Sequence, residues 1–198
     1  MGIVNPIEEI VDERERARLQ RDPNVDLCFL ATVSRDGQPM VRTLVLRDVG
    51  DRGFGLLLST TSIKWQQIHQ SQRYELLILW LTVMRQYRIQ GDLAPMNEAL
   101  VESYWNEKNY GSRLLECYYT ELEAQSAPIP SREHLLKGIR ALREKYPETG
   151  MAPRPEALRG IYLVPQRIEA WHGSEDRLHD RRLYTKTAEG WSEQVLVP

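Results

Sequence analysis

Several things are scarce or absent in this chain, and each absence removes a class of function. There are only two cysteines, Cys28 and Cys117, and they are not at CxxC spacing. That excludes a thiolate metal site and a disulfide framework. Cys28 lies in the apolar run Leu27–Val33 and reads as a reduced core residue. Neither charge is in surplus: the net charge is −2, so no long polyanion such as DNA is expected as a partner. No GxGxxG and no βαβ alternation occur, which excludes the Rossmann route to a nucleotide. Residues 1–22 are charged throughout, without an apolar centre. They fit neither a signal peptide nor a membrane span, so a cytoplasmic protein with no membrane partner is expected. His69, His134 and His172 form no metal constellation, and no Ser-His-Asp or Cys-His arrangement can be argued from residue order. Internal repeats and low-complexity tracts are missing as well.

What is present is an ordinary soluble composition, 41% hydrophobic and 27% charged over 198 residues, which suits one domain. Residues 1–22 contain a polar entry helix from Ile7 to Gln20, ended by Asp22-Pro23-Asn24. Residues 26–94 read as barrel strands. Leu27–Val33 turns through Asp36-Gly37 into a second strand, Met40–Arg47, and Asp51–Gly53 turns into a third, Phe54–Ser59. Ser62 caps a helix through Ser71, and two further strands span Tyr74–Leu81 and Met84–Leu93. Residues 97–146 form a helical insertion, with helices after Asn97, near Leu114 and from Ser131 to Tyr146. Residues 160–198 return to strand at Gly160–Val164, Arg167–His172, Arg181–Thr187 and Trp191–Leu196. Many short strands at hairpin spacing, with helices between them, argue for an antiparallel barrel with satellite helices.

Chemistry-bearing residues fall into four groups. Trp171, Arg177, His179 and Arg181 lie within eleven positions, and all four can stack on or bond to a flat, anionic heteroaromatic ligand. Arg177 and His179, two apart on an extended chain, would point the same way. Arg42 on the second strand, with Ser62 and Lys64 at a helix start, suits a phosphate. Gln86 lies beside Arg88 on the polar face of its strand, where an amide could meet a ligand edge. Tyr104 and Lys108 are i,i+4 and would share a helix face, with Ser112 one turn beyond.

The segment Trp171…Arg177-Leu178-His179-Asp180-Arg181 resembles the C-terminal motif of the pyridoxamine 5′-phosphate oxidase family. Ala31-Thr32-Val33, Asp36-Gly37-Gln38-Pro39, Arg42 and Val45-Leu46-Arg47 are similar to the strand-hairpin-strand that opens the family's FMN site. The resemblance implies a mainly β fold, an antiparallel Greek-key split β-barrel that is homodimeric with FMN between the subunits. It implies oxidation of pyridoxamine or pyridoxine 5′-phosphate at C4′, with oxygen as acceptor and hydrogen peroxide as product. By the same resemblance, Arg42, Ser62 and Lys64 would hold the FMN phosphate, and Gln86, Trp171 and Arg181 the flavin. Arg47 would touch both flavin and substrate, Tyr104, Lys108 and Ser112 the substrate phosphate, and Arg177 and His179 its ring. Gln125-Ser126 would match a Gln-Ser pair at the flavin.

Strand parity would put Arg42 and Arg47 on opposite faces, which calls for a bulge or a site at a dimer seam. The chain also departs from the family pattern. Ile63 replaces a second arginine, Leu57-Leu58 a Tyr-Thr pair, Arg47 a lysine, and Lys108 an arginine, which loses the bidentate fork. Two alternatives stay open: an FMN-binding split barrel acting on another substrate, and a non-catalytic flavin-binding dimer.

Overall fold

The computed structural model describes residues 5–198, which divide into two compact units. One comprises the chain up to residue 56 with 67–94 and 161–198; the other comprises 57–66 and 95–160. The first four residues of the expected entry segment lie outside the described residues.

The first unit holds most of an antiparallel sheet. Its strands are β1 (Leu27–Val33), β2 (Pro39–Val45), β3 (Asp48–Gly50), β4 (Gly53–Ser59), β5 (Tyr74–Trp80), β6 (Arg85–Pro95), β7 (Leu158–His172), β8 (Asp180–Thr187) and β9 (Gly190–Leu196). The order is β2-β1-β5-β6-β7-β4-β3, with β8 on β7 and β9 on β8. Alternation fixes the faces: Leu30, Leu76, Ile78, Trp80, Tyr87 and Ile89 are buried to one side, and Glu75, Gln86, Arg88 and Gln90 look out from the other.

The second strand ends two residues earlier than the sequence suggests. The Leu46 amide bonds to the Asp26 carbonyl before β1, and the next amide, of Arg47, bonds to the Gly55 carbonyl on β4, both at 2.9 Å. Two successive residues thus serve opposite ends of the strand order, and this step curls the sheet on itself. Parity does not carry across such a step, so Arg42 and Arg47 are not bound to opposite faces.

Strand β7 runs as one element where two were expected. Gly91 on β6 lets the β7 backbone at Val164-Pro165 approach closely, since a Cβ at Gly91 would collide with the Val164 carbonyl.

Helix α1 (Pro6–Leu19) is polar in composition but buries a stripe, Ile10 and Ala17 fully and Glu13 nearly so. Glu9 on that helix receives hydrogen bonds from the Tyr87 hydroxyl at 3.2 Å and meets His172 Nε2 at 2.8 Å. Burial works to raise the Glu9 carboxyl, but these bonds and the charges of His172 and Arg85 outweigh it, so its pKa lies below the ordinary 4.5. A depressed carboxyl stabilises the fold above its unfolded pKa and loses that contribution as pH falls through the folded one. Unfolding midpoints measured between neutral pH and pH 3 should therefore drop on the acid side, and Glu9→Gln should flatten part of that drop.

The second unit contains α3 (Glu98–Glu107), α4 (Tyr110–Glu121) and α5 (Arg132–Lys145), capped by the side chains of Asn97, Asn109 and Ser131. Leu114, Cys117, Tyr118, Leu142 and Ala152 form its core, with Leu135 and Ile139 packed against them. Helix α2 (Ile63–Ser71) begins in this unit. Among the described residues no helix is long and apolar enough to cross a membrane.

Candidate functional site

The C-terminal residues come together around β7 and β8. Trp171 pairs with Arg181 in the ladder. Its ring lies 4.6 Å from that of His179, tilted by 53°. The edge of the indole rests on Gly173, where a Cβ would come within 2.6 Å of Trp171 Cη2 and 2.7 Å of Met84 Cε. A glycine is needed there for the ring to lie flat against the loop.

The Arg177–His179 segment is not extended. Arg177 sits in a turn with φ +65°, and its amide bonds to the Ser174 carbonyl at 3.2 Å. The expected common direction of Arg177 and His179 is thus replaced by a built loop. Asp176 accepts from the Ser174 hydroxyl at 2.6 Å and from the Leu178 amide at 3.0 Å. His179 Nδ1 accepts from the Ser174 amide at 3.0 Å. With Nδ1 accepting, the neutral ring carries its proton on Nε2, which fixes which atom can donate to a ligand. Arg177 is exposed at the tip of this loop.

Arg181 is held from two sides, by Glu169 at 2.7 Å and by the Val197 carbonyl at 2.9 Å. Glu169 is buried and also meets Arg88 at 3.2 Å, and Arg88 forms a fork on Glu75 at 2.8 and 3.2 Å. Glu75 takes a further bond from Gln90 at 2.7 Å. Gln86 stands on the same face of β6, half-buried. Glu169 was not singled out from the sequence, although it is two residues from Trp171 on one strand and therefore shares its face.

Arg42 is pinned to the sheet. Its Nη1 donates to the Leu30 and Met40 carbonyls and to Thr32 Oγ1, and Nη2 donates to Gln67 Oε1 at 3.1 Å. Burial draws its pKa below the usual arginine value. Arg47 has a buried Nε with no hydrogen-bond partner, a donor turned away from solvent.

In the second unit, Ser62 caps α2: its hydroxyl donates to the Ser59 carbonyl at 2.7 Å and accepts from the Trp65 amide at 3.4 Å. Lys64 Nζ donates to Gln125 Oε1 at 2.8 Å, which brings Gln125 to the start of α2. Ser126 next to it is exposed, with φ +67°. Arg42 and Lys64 belong to different units, and each stands on its own geometry.

Tyr104, Lys108 and Ser112 do not share one helix. Helix α3 ends at Glu107, Lys108 is its extended C-cap, and Asn109 starts α4 by accepting from the Ser112 amide at 2.9 Å. The i,i+4 relation of Tyr104 to Lys108 is broken by this cap. Lys108 Nζ instead meets Glu116 Oε1 at 2.5 Å.

A family model described as pyridoxamine 5′-phosphate oxidase matches residues 12–147, and one for the pyridoxine 5′-phosphate oxidase C-terminal dimerisation region matches 159–198. The chain belongs to the pyridoxamine 5′-phosphate oxidase family. A pyridoxine/pyridoxamine 5′-phosphate oxidase of Myxococcus xanthus (strain DK1622) is 32% identical, over 98% of this chain and 92% of its own length. One from Alkalilimnicola ehrlichii is 33% identical, over 86% and 85%. Among solved structures, PhzG from Burkholderia lata 383, in complex with tetrahydrophenazine-1-carboxylic acid, superposes with a TM-score of 0.84 at 26% identity, over 98% and 93%. A pyridoxamine 5′-phosphate oxidase-related, FMN-binding protein from Nostoc punctiforme gives 0.74 at 19% identity over the full length of both chains, a likeness of fold. The curled antiparallel sheet with satellite helices is thus the family's split barrel, and membership of this family supports an oxidoreductase.

Proposed function

We propose that this chain is an FMN-dependent oxidase of the pyridoxamine 5′-phosphate oxidase type, working as a homodimer. The observation that carries the reading is the grouping of Trp171, His179 and Arg181, ordered by Gly173, Ser174 and Glu169, in a chain that matches the family's models over residues 12–147 and 159–198. The residues fit FMN in kind. An indole and a clamped guanidinium suit an anionic isoalloxazine, the orphaned Arg47 Nε lacks an acceptor, and Arg42 and Lys64 are cations for its phosphate. Ser62 helps by fixing the start of α2, and Gln86 offers an amide to the flavin edge.

Bound FMN would supply two-electron redox chemistry at the substrate's C4′: an alcohol there would give the aldehyde, an amine the imine that water hydrolyses to aldehyde and ammonia, with oxygen reduced to hydrogen peroxide. The protein's part is orientation. His179 presents an Nε2–H of fixed tautomer, and Arg177 a charge on a loop pinned by Asp176, so the pyridine ring is held at reacting distance. Tyr104, Lys108, Ser112 and Arg47 receive the far end of the substrate. The C-terminal strands, with exposed Val195 and Val197, and β2, with exposed Val41, offer apolar surface to a second copy.

Purified protein should be yellow or turn yellow on adding FMN, and anaerobic pyridoxamine or its 5′-phosphate should bleach the flavin bands. A colourless protein that ignores added FMN would reject the cofactor. Exposed Ile63 and buried Leu58, in place of polar family residues, favour a second reading: an FMN oxidoreductase for another substrate. A yellow protein bleached by neither pyridine would select it.

A further inference from the structure

Resting on that reading, we propose that Glu169 is a positioning residue: it fixes the plane of the Arg181 guanidinium beside Trp171 and offsets its charge, so that bound FMN is harder to reduce than an uncompensated arginine would make it. Strand register puts the parts together. Trp171 and Arg181 oppose each other in the β7–β8 ladder, and Glu169 is two residues back from Trp171, on the same face and diagonal to Arg181. Glu169 Oε1 accepts from Arg181 Nη2 at 2.7 Å, while Arg181 Nη1 donates to the Val197 carbonyl at 2.9 Å. Two anchors on different nitrogens stop the fork from rotating and leave its other N–H donors for a ligand. The Arg181 side chain is 28% exposed and that of Glu169 only 9%, so the cation is open to a ligand and the carboxylate is shielded from it.

The other oxygen of Glu169 holds a second cation. Oε2 accepts from Arg88 Nη1 on β6 at 3.2 Å, and Arg88 forks onto Glu75 on β5. Arg181, Glu169, Arg88 and Glu75 thus alternate in sign across four neighbouring strands and carry no net charge. Without the Glu169 charge, Arg88 and Arg181 would flank β7 as a surplus of positive charge. A reduced flavin is richer in electrons than an oxidised one, and a cation beside it favours the reduced form. Glu169 opposes that pull from 2.7 Å behind the nearer cation, and its own burial limits screening by salt. The carboxylate therefore acts on the flavin through Arg181 and not by touching it.

The midpoint potential of FMN bound to the full chain, read anaerobically against a reference dye, tests this without any substrate. Glu169→Gln keeps the size and an oxygen for Arg181 but drops the charge. It should shift the balance toward reduced FMN by about tenfold, a rise of about 30 mV for a two-electron couple. Glu169→Asp keeps the charge and shortens the reach. Its balance should stay within about twofold of wild type, while oxidised FMN dissociates about tenfold more readily, the worth of one charged hydrogen bond. A merely structural role would weaken FMN binding in both variants and move the potential in neither. An unchanged or lowered potential in Glu169→Gln would therefore overturn the inference and leave the proposed oxidase standing. If Glu169→Gln does not fold, Glu75→Gln at the other end of the row should shift the balance the same way by about threefold, and no shift there would overturn the inference equally. A wild-type chain that takes up no FMN would overturn both.

Discussion

Arg177→Ala should lower kcat/KM, with whichever pyridine bleaches the flavin, by about 30- to 1,000-fold, or about 2–4 kcal/mol of transition-state stabilisation. Arg177 holds a left-handed backbone conformation that costs a non-glycine residue about 1 kcal/mol or more. The turn keeps that strain because Asp176 and Ser174 over-determine it. Alanine retains the backbone preference and removes only the guanidinium, so folding and FMN content should stay at wild-type levels. Steady-state kinetics together with flavin content separates the two. Unchanged kcat/KM would take Arg177 out of the mechanism.

Gly91→Ala should destabilise the first unit by about 3 kcal/mol, the upper end for overpacking. Its added Cβ would collide with the backbone of Val164 and Pro165, neither of which can rotate away as a side chain could. The Tyr74 hydroxyl also bonds to the Gly91 carbonyl at 2.6 Å, so a shift there disturbs β5 too. Gly50→Ala is the control: nothing lies within 4 Å of its Cβ position, and the change should be within about 0.5 kcal/mol. Denaturant melts of the two variants, compared at equal m-value, check this. Equal midpoints would show that β7 has slack at Pro165.

Much of the strand pattern could be read directly: Leu27–Val33 and Tyr74–Leu81 from their apolar runs of strand formers, and the polar face of β6 from its alternation; the structure has β1 at Leu27–Val33 and ends β5 one residue earlier, at Trp80. The end of β2 could not be read. Nothing local marks Leu46; the strand stops because the sheet must close, and closure depends on the carbonyls of Asp26 and Gly55, which lie on other segments of the sheet. At the site, residue types were legible and directions were not. Lys108 reads as helical from its i,i+4 spacing to Tyr104, whereas it caps the end of α3 and Asn109, accepting from the Ser112 amide, begins α4. Arg177 and His179 looked extended, although Gly173-Ser174 followed by Asp176 is a turn signal and does make the loop. Glu116 and Glu169 drew no notice, because an acidic residue on a helix or strand is ordinarily solvated. Their importance appears only once the cation beside each is located.

Cys28 and Cys117 are both free and almost wholly inaccessible, one in each compact unit. Burial pushes the Cys28 thiol up to about 12, so it stays protonated and inert while its strand is in place. The native molecule therefore carries a matched pair of silent clocks. Pulses of a thiol-specific alkylating reagent, read by peptide mass spectrometry, would time the opening of each half separately and show whether FMN slows one, both or neither.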